Sequence, residues 1–280
     1  MNVCFPKGSV EGTLLPPLYA KAWCAKKYPD IFTDRESVDI LGRVGYDFSN
    51  IESQNPLSLR MGALTAGLRQ YAIASELARA LKDNPRATLV NLGCGLDTTG
   101  HLVDTGECRF LNLDLHDVIL LREEFIPSND REQNRVADLS VFEGLDSWFD
   151  IIDETAHTRL IFFAAGVFLY MDKITVLSLI AAMAERFPGS RLIFDAQNAL
   201  GTHHDLKDLA KAGINVSTNF FLSSPKKELK AQSPYIVRVE SRGMSTGYRK
   251  LDHRFGLLFS LIAHAADFTR MSQIHVVDFA

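Results

Sequence analysis

Two glycines and two acidic residues stand at spacings that suit a nucleoside-like ligand. Gly93 and Gly95 close a short apolar run at 87–92, and without a Cβ they let the backbone approach a ligand. Asp114 follows Gly93 by about 20 positions, where an acid accepts hydrogen bonds from ribose hydroxyls. Asp138 directly follows a third run, at 135–137, where it can accept from an adenine amino group while Leu139 N–H donates to the ring. The alternatives are packing glycines and helix caps.

The ligand that this pattern favours has a ribose but no pyrophosphate. The third glycine of the dinucleotide motif is missing, because position 98 is threonine. A dinucleotide needs its pyrophosphate against a helix N-terminus, and the motif therefore argues against NAD. S-adenosylmethionine meets these conditions.

The elements that must position these residues alternate as strands and helices, which is typical of parallel βαβ units. We predict a doubly wound, mostly parallel sheet with a C-terminal antiparallel hairpin, preceded by helices. The predicted strands are 87–92, 109–113, 135–137, 160–164, 191–195, 235–240 and 274–279. The predicted helices are 13–28, 34–43, 57–81, 98–105, 117–125, 141–155, 173–187 and 252–266.

Composition predicts a cytoplasmic, globular enzyme in one domain, 1–280, with a helical extension or lid at 1–84 and a Rossmann-like core at 85–280. The net charge of −4 disfavours a nucleic-acid partner. The four cysteines lie far apart and predict neither a disulfide nor a metal site. No secretory signal begins the sequence, and the longest apolar run, 160–170, is too short to span a membrane. The oligomeric state stays open.

Three runs carry a resemblance to a known family: VNLGCGLDT at 90–98, NLDLHDVI at 112–119 and AGVFLYM at 165–171, with a further match at 10–21. The sequence resembles the leucine carboxyl methyltransferase family and is most similar to its branch of polyketide-type O-methyltransferases. The resemblance implies a Rossmann-like class I methyltransferase. Its activity would be S-adenosylmethionine-dependent methylation of a hydroxyl or carboxylate oxygen on a small molecule.

The resemblance also implies a cofactor site. Lys21 and Arg69 would hold the methionine carboxylate, and Gly93 would lie against the methionine backbone. The remaining contacts would come from Asp114 to the ribose and from Asp138 and Leu139 to the adenine.

Two positions depart from the family pattern. Ala165 replaces a glutamate that contacts the amino end of the cofactor, and Asn112 replaces an acid. The first departure keeps open a non-catalytic S-adenosylmethionine-binding protein as an alternative function. A protein C-terminal carboxyl methyltransferase is a second alternative.

The acceptor site carries no clear motif. A carboxylate acceptor is already ionised and needs no base, whereas a phenol benefits from one. Candidate bases are His203 and His204, with His116 a poorer candidate, although the residue types and positions favour solvated loop histidines over bases. Tyr170 is a candidate for the acceptor pocket or for the core.

Overall fold

The computed structural model describes residues 14–49, 55–144, 147–155, 158–203 and 220–280. The strands are β1 (Thr88–Leu92), β2 (Arg109–Asp114), β3 (Glu132–Val136), β4 (Leu160–Ala164), β5 (Arg191–Gln197), β6 (Ile236–Gly243) and β7 (Ser272–Phe279). The helices are α1 (Leu15–Lys27), α2 (Arg35–Arg43), α3 (Pro56–Asp83), α4 (His116–Phe125), α5 (Trp148–Thr155), α6 (Lys173–Arg186), α7 (Pro225–Lys230) and α8 (Leu257–Phe268).

The strands form one sheet in the order β3-β2-β1-β4-β5-β7-β6. β7 runs antiparallel to both of its neighbours, while the pairs among β1 to β5 are parallel. This arrangement confirms the predicted doubly wound sheet with a C-terminal antiparallel hairpin. The chain reverses direction across the sheet between β1 and β4, and ligands of such sheets bind beyond the carboxyl ends of the strands at that point.

Helices cover both faces of the sheet, because alternate strand residues are apolar on both sides. Phe194 of β5 packs in a cluster with Leu179 of α6, and Ile193 packs on the opposite face with Ile73 of α3. All five residues of β1 are buried, as expected for a central parallel strand.

One predicted helix is largely absent. Residues 98–105 contain only a three-residue 3₁₀ turn, His101–Val103. The threonines at its start are engaged elsewhere: Thr98 Oγ1 donates to Asp34 Oδ2 at 2.8 Å, and Thr99 Oγ1 donates to Asp97 Oδ1 at 2.8 Å. These side-chain hydrogen bonds compete with helical structure.

Several other boundaries also differ from the prediction. β3 begins at Glu132 rather than at 135, because its polar side chains are buried against partners that the sequence pattern does not show. α5 begins at Trp148 rather than at 141. The predicted helix at 252–266 is split by Gly256, whose φ of +77° ends a 3₁₀ turn before α8 starts. Residues 10–13, which share the family resemblance and include the predicted helix start, lie outside the described residues.

A buried arginine ties the loop after β1 to the edge of the sheet. Arg122 Nη1 donates to the carbonyl oxygens of Gly95 and Asp97, both at 2.9 Å. Its Nε donates to Asn134 Oδ1 at 2.9 Å, and its Nη2 pairs with Glu132 Oε1 at 3.2 Å. The side chain is only 1% exposed, so Arg122 fixes the glycine turn from within the protein.

The N-terminal helices are fixed to the same loop through a buried carboxylate. Asp34 caps α2 by accepting from Ser37 N, and it also accepts from Gln70 Nε2 of α3 at 2.7 Å. With Thr98 as a further donor, one side chain joins α2, α3 and the loop after β1. Buried charge is stable only when hydrogen-bonded in this way.

His101 makes a second polar link between α2 and the sheet. Its Nδ1 lies 2.6 Å from Glu36 Oε2 and its Nε2 lies 3.0 Å from Glu132 Oε2. Burial disfavours the charged ring, but the hydrogen bonds and charges of Glu132 and Glu36 outweigh it and raise the pKa of His101 to about 10. The imidazolium therefore holds two carboxylates on different elements.

We predict that Arg122→Met lowers the free energy of unfolding by about 3–5 kcal/mol, because it removes one of the two cations that pair with Glu132 and leaves the carbonyl groups of Gly95 and Asp97 without this donor. Arg86→Met is the matched control, since Arg86 pairs with Glu107 at an exposed site and should cost less than about 1 kcal/mol. Urea denaturation of both variants measures the difference. Equal losses would show that the buried network does not stabilise the fold.

We also predict that the stability advantage of the wild type over His101→Gln decreases with rising pH. A pKa raised from 6.5 to about 10 contributes stability that is fully present below pH 6.5 and is lost as the pH approaches 10. Urea denaturation of both proteins across this window provides the test. A difference that stays constant with pH would mean that His101 is not charged in the folded protein.

Candidate active site

Four positions at the carboxyl ends of the central strands lie side by side, as the register of the strands shows. Asn91 of β1 is in register with Asn112 of β2 and with Phe163 of β4, and Phe163 is in register with Ile193 of β5. The positions two residues further along each strand continue that row at the edge of the sheet. They are Asp114, Gly93, Ala165 and Asp195.

The glycine turn requires glycine for both conformation and packing. Gly93 has a φ of +64° and Gly95 a φ of +47°, in the region that side chains disfavour. A Cβ at Gly93 would stand 2.7 Å from Val167 Cγ1, and one at Gly95 would stand 2.9 Å from Leu14 Cδ2. Val167 and Leu14 thus cover the turn closely. The glycines are therefore needed for packing, and their contact with a ligand stays a prediction.

Asp114 bridges the ends of β1 and β2. Its Oδ2 accepts from Gly95 N at 2.7 Å and its Oδ1 accepts from Leu115 N at 2.8 Å. Burial raises the pKa of the Asp114 carboxyl, and these backbone hydrogen bonds offset the rise only in part. Helix α4 has Leu115 as its cap residue and no side-chain cap, so the predicted alternative of Asp114 as a helix cap is wrong. A carboxylate accepts up to about four hydrogen bonds, which leaves capacity for a ligand.

The turn does not lead into a helix. Residues 97–99 form a loop in which Asp97 accepts from Thr99 N at 3.2 Å, and only the short 3₁₀ turn follows. A pyrophosphate would therefore find no α-helix N-terminus directly after the glycines. This geometry disfavours a dinucleotide at the turn.

Lys21 reaches this loop from α1. Its Nζ pairs with Asp97 Oδ1 at 2.9 Å, and the two side chains are 8% and 16% exposed. Burial would raise the pKa of Asp97, but the Lys21 ammonium and the Thr99 hydrogen bonds outweigh it and hold the pKa below its usual value. The predicted cation is thus beside the glycine turn and already has a carboxylate partner.

Arg69 reaches the same edge of the sheet from α3. Its Nη1 lies 3.5 Å from Asp195 Oδ2, and its side chain is 22% exposed. Asp195 Oδ1 also accepts from Gly166 N at 2.6 Å. The two cations that the resemblance implies as partners of one carboxylate therefore each have a separate acidic partner in the protein.

The predicted adenine-binding pair lies after β3. Asp138 is exposed, and its Oδ1 accepts from Ser140 N at 2.9 Å and from Ser140 Oγ at 2.6 Å. Leu139 is buried in the core. Asp138 thus caps a turn, and its contact with adenine stays a prediction.

The candidate acceptor residues are less well defined. Tyr170 is 38% exposed at the end of the 3₁₀ turn Phe168–Tyr170. His203 is exposed, and His204 lies outside the described residues. His116 is exposed and its Nδ1 lies 2.9 Å from Asp117 Oδ1. Their role in acceptor binding or proton transfer stays a prediction.

Three residues that the sequence analysis did not assign to the site are central to its geometry: Asp97, Arg122 and Asp195. Asp195 could have been found by the reasoning that identified Asp114, since it too is an acid near the carboxyl end of a strand. No local pattern marks Arg122, because its partners come from two other segments of the chain, the loop after β1 and strand β3.

Within the described ranges, no group of three or more His, Cys, Asp or Glu side chains is arranged to hold a metal ion. No helix in those ranges is both long and apolar enough to cross a bilayer.

Comparisons with known proteins give one sequence relative and several similar folds. No model of a protein family matches the chain. The tetracenomycin polyketide synthesis O-methyltransferase TcmP of Streptomyces glaucescens is 26% identical over 188 residues, which cover 67% of this chain and 66% of TcmP. The match therefore spans just under two thirds of that relative.

Two solved structures share the architecture. A protein from Thermobifida fusca YX, assigned as a methyltransferase, superposes with a TM-score of 0.55 at 12% identity, over 78% of this chain and 82% of its own. A duf574 family protein from Streptomyces avermitilis MA-4680 superposes with a TM-score of 0.54 at 10% identity, over 83% and 95%. The chain therefore has the fold of class I methyltransferases and is distantly related to a polyketide O-methyltransferase.

Proposed function

We propose that this chain is an S-adenosylmethionine-dependent O-methyltransferase of the leucine carboxyl methyltransferase type. It would act on a hydroxyl or carboxylate of a small, polyketide-like molecule. The observation that carries the proposal is the glycine turn, which Asp114 bridges to β2 and which no helix follows. The kinship with TcmP supports oxygen as the methylated atom.

The order of charged groups along the sheet fits the proposed cofactor. Asp138 follows β3, Asp114 ends β2, and the Lys21 and Arg69 ion pairs lie beside the ends of β1 and β5. An adenine, a ribose and an anionic amino-acid end would follow one another in the same order. Asp114 would accept from the ribose hydroxyls, and the two cations would bind the carboxylate.

When bound, S-adenosylmethionine supplies a methyl group on a sulfonium, which an acceptor oxygen displaces in line. The protein would contribute position and exclusion of water. Leu14 and Val167 already cover the glycine turn and would keep water from it. For a phenolic acceptor, His203 or His204 would take the proton, whereas a carboxylate acceptor would need no base.

Ligand binding gives the first test. S-adenosylmethionine and S-adenosylhomocysteine should stabilise the protein against heat, by about 2.7 kcal/mol at a hundredfold excess over Kd, whereas NAD should not. Labelled methyl transfer to a panel of phenols, carboxylic acids and a C-terminal leucine peptide then identifies the acceptor. Stabilisation by NAD alone would refute the proposal. Turnover of the peptide alone would make the chain a protein methyltransferase, and binding without any turnover would favour a binding protein.

Asp114→Asn tests the ribose contact. The variant keeps the size of the side chain and an oxygen for Gly95 N, but loses the charged acceptor. We expect Kd for S-adenosylhomocysteine to increase by the equivalent of about 1.5–3 kcal/mol in calorimetry. Asp117→Asn is the control, because Asp117 is exposed near the same strand end and pairs only with His116 among the contacts described. Unchanged affinity in Asp114→Asn would limit Asp114 to holding the turn.

A further inference from the structure

We propose that Asp195 is a positioning residue that holds Arg69 in place for the carboxylate of the cofactor's methionine end. This inference rests on the proposed function and deepens it. It concerns a side chain that touches Arg69 and the loop after β4, and it does not require Asp195 to touch the cofactor.

Asp195 is a buried carboxylate with two defined partners. Its side chain is 2% exposed, its Oδ1 accepts from Gly166 N at 2.6 Å, and its Oδ2 lies 3.5 Å from Arg69 Nη1. A carboxylate removed from water in this way needs both hydrogen bonds and a counter-charge. Arg69 is therefore held by an acid that cannot turn to the solvent instead.

Gly166 fixes the same guanidinium from a second side. Its φ of +69° suits glycine, and a Cβ at this position would overlap the Arg69 guanidinium. Arg69 thus lies against the backbone of the loop that Asp195 anchors. Two independent constraints, one of charge and one of shape, hold one side chain.

Arg69 still has donors to offer a ligand. A guanidinium carries five N–H donors in a planar fork, and the contact with Asp195 involves one of its terminal nitrogens. The side chain is 22% exposed, compared with 8% for Lys21. Arg69 is therefore the more accessible of the two cations, and its contact with Asp195 sets the orientation of its guanidinium.

The loop that Asp195 anchors also covers the glycine turn. Val167 follows Gly166 directly, and its Cγ1 occupies the space that a Cβ on Gly93 would need. If an amide replaces the Asp195 carboxylate, Arg69 loses its charged partner. The amide oxygen can still accept the hydrogen bond from Gly166 N. That substitution separates the placement of Arg69 from the support of the loop.

The test compares two ligands on Asp195→Asn. S-adenosylhomocysteine carries the amino-acid end, whereas 5′-methylthioadenosine shares its adenosine and thioether but lacks that end. We expect Kd for S-adenosylhomocysteine to rise about tenfold. The Kd for 5′-methylthioadenosine should stay within about twofold of its wild-type value, which also shows that the variant is folded.

Two further measurements make the assignment specific. In Arg69→Gln and in the double variant Arg69→Gln/Asp195→Asn, affinity for S-adenosylhomocysteine should be equal, because Asp195 acts through Arg69. Asp278→Asn is the matched control, since Asp278 pairs with Arg191 at the other end of β5 and should change neither affinity. If Asp195→Asn does not fold, Asp195→Glu, which keeps the charge but displaces it, should show the same ligand selectivity.

The outcomes distinguish this inference from the proposed function. Equal weakening of both ligands would make Asp195 merely structural and would overturn the inference, as would unchanged affinity for both. Additive effects in the double variant would also overturn it. Failure of the wild type to bind S-adenosylhomocysteine would instead refute the proposed function, and the inference would fall with it.

Discussion

The structure depends on one buried guanidinium, that of Arg122. It joins the carbonyl groups of the loop after β1 to Asn134 and Glu132 of β3, and it does so from α4. A loop of two glycines in left-handed conformations has little stability of its own, because glycine loses more backbone entropy on folding than other residues. Arg122 supplies the missing constraint and holds the turn from the side of α4.

The N-terminal helices depend on the same region through polar contacts as well as apolar packing. Asp34 and His101 join α2 and α3 to the loop after β1 and to β3. Directional contacts of this kind specify one docking position, whereas apolar contact alone tolerates sliding. They also help to fix α3, which carries Arg69 to the carboxyl ends of the strands, while α1, which carries Lys21, packs against α2 and α3.

The sequence alone predicts the strands of the sheet, but it does not predict the buried hydrogen bonds and ion pairs. Apolar runs such as 160–164 predict strands directly, and Asp114 was found because its spacing from Gly93 is local to one βαβ unit. The helix at 98–105 was wrong because Thr98 and Thr99 bond to Asp34 and Asp97 instead. Contacts such as Arg69 with Asp195 join segments more than a hundred residues apart, which no local pattern encodes.

Position 165, where this chain has alanine, lies beside a buried acid. Ala165 directly precedes Gly166, whose N–H donates to Asp195, and Asp195 already places a buried carboxylate there, against Arg69. A glutamate at 165 would add a second acid one residue away from the contact between Gly166 and Asp195. Like charges in a buried site raise each other's pKa and destabilise the pair. With alanine at 165, Asp195 is the one acidic partner that the described part of the chain gives to Arg69.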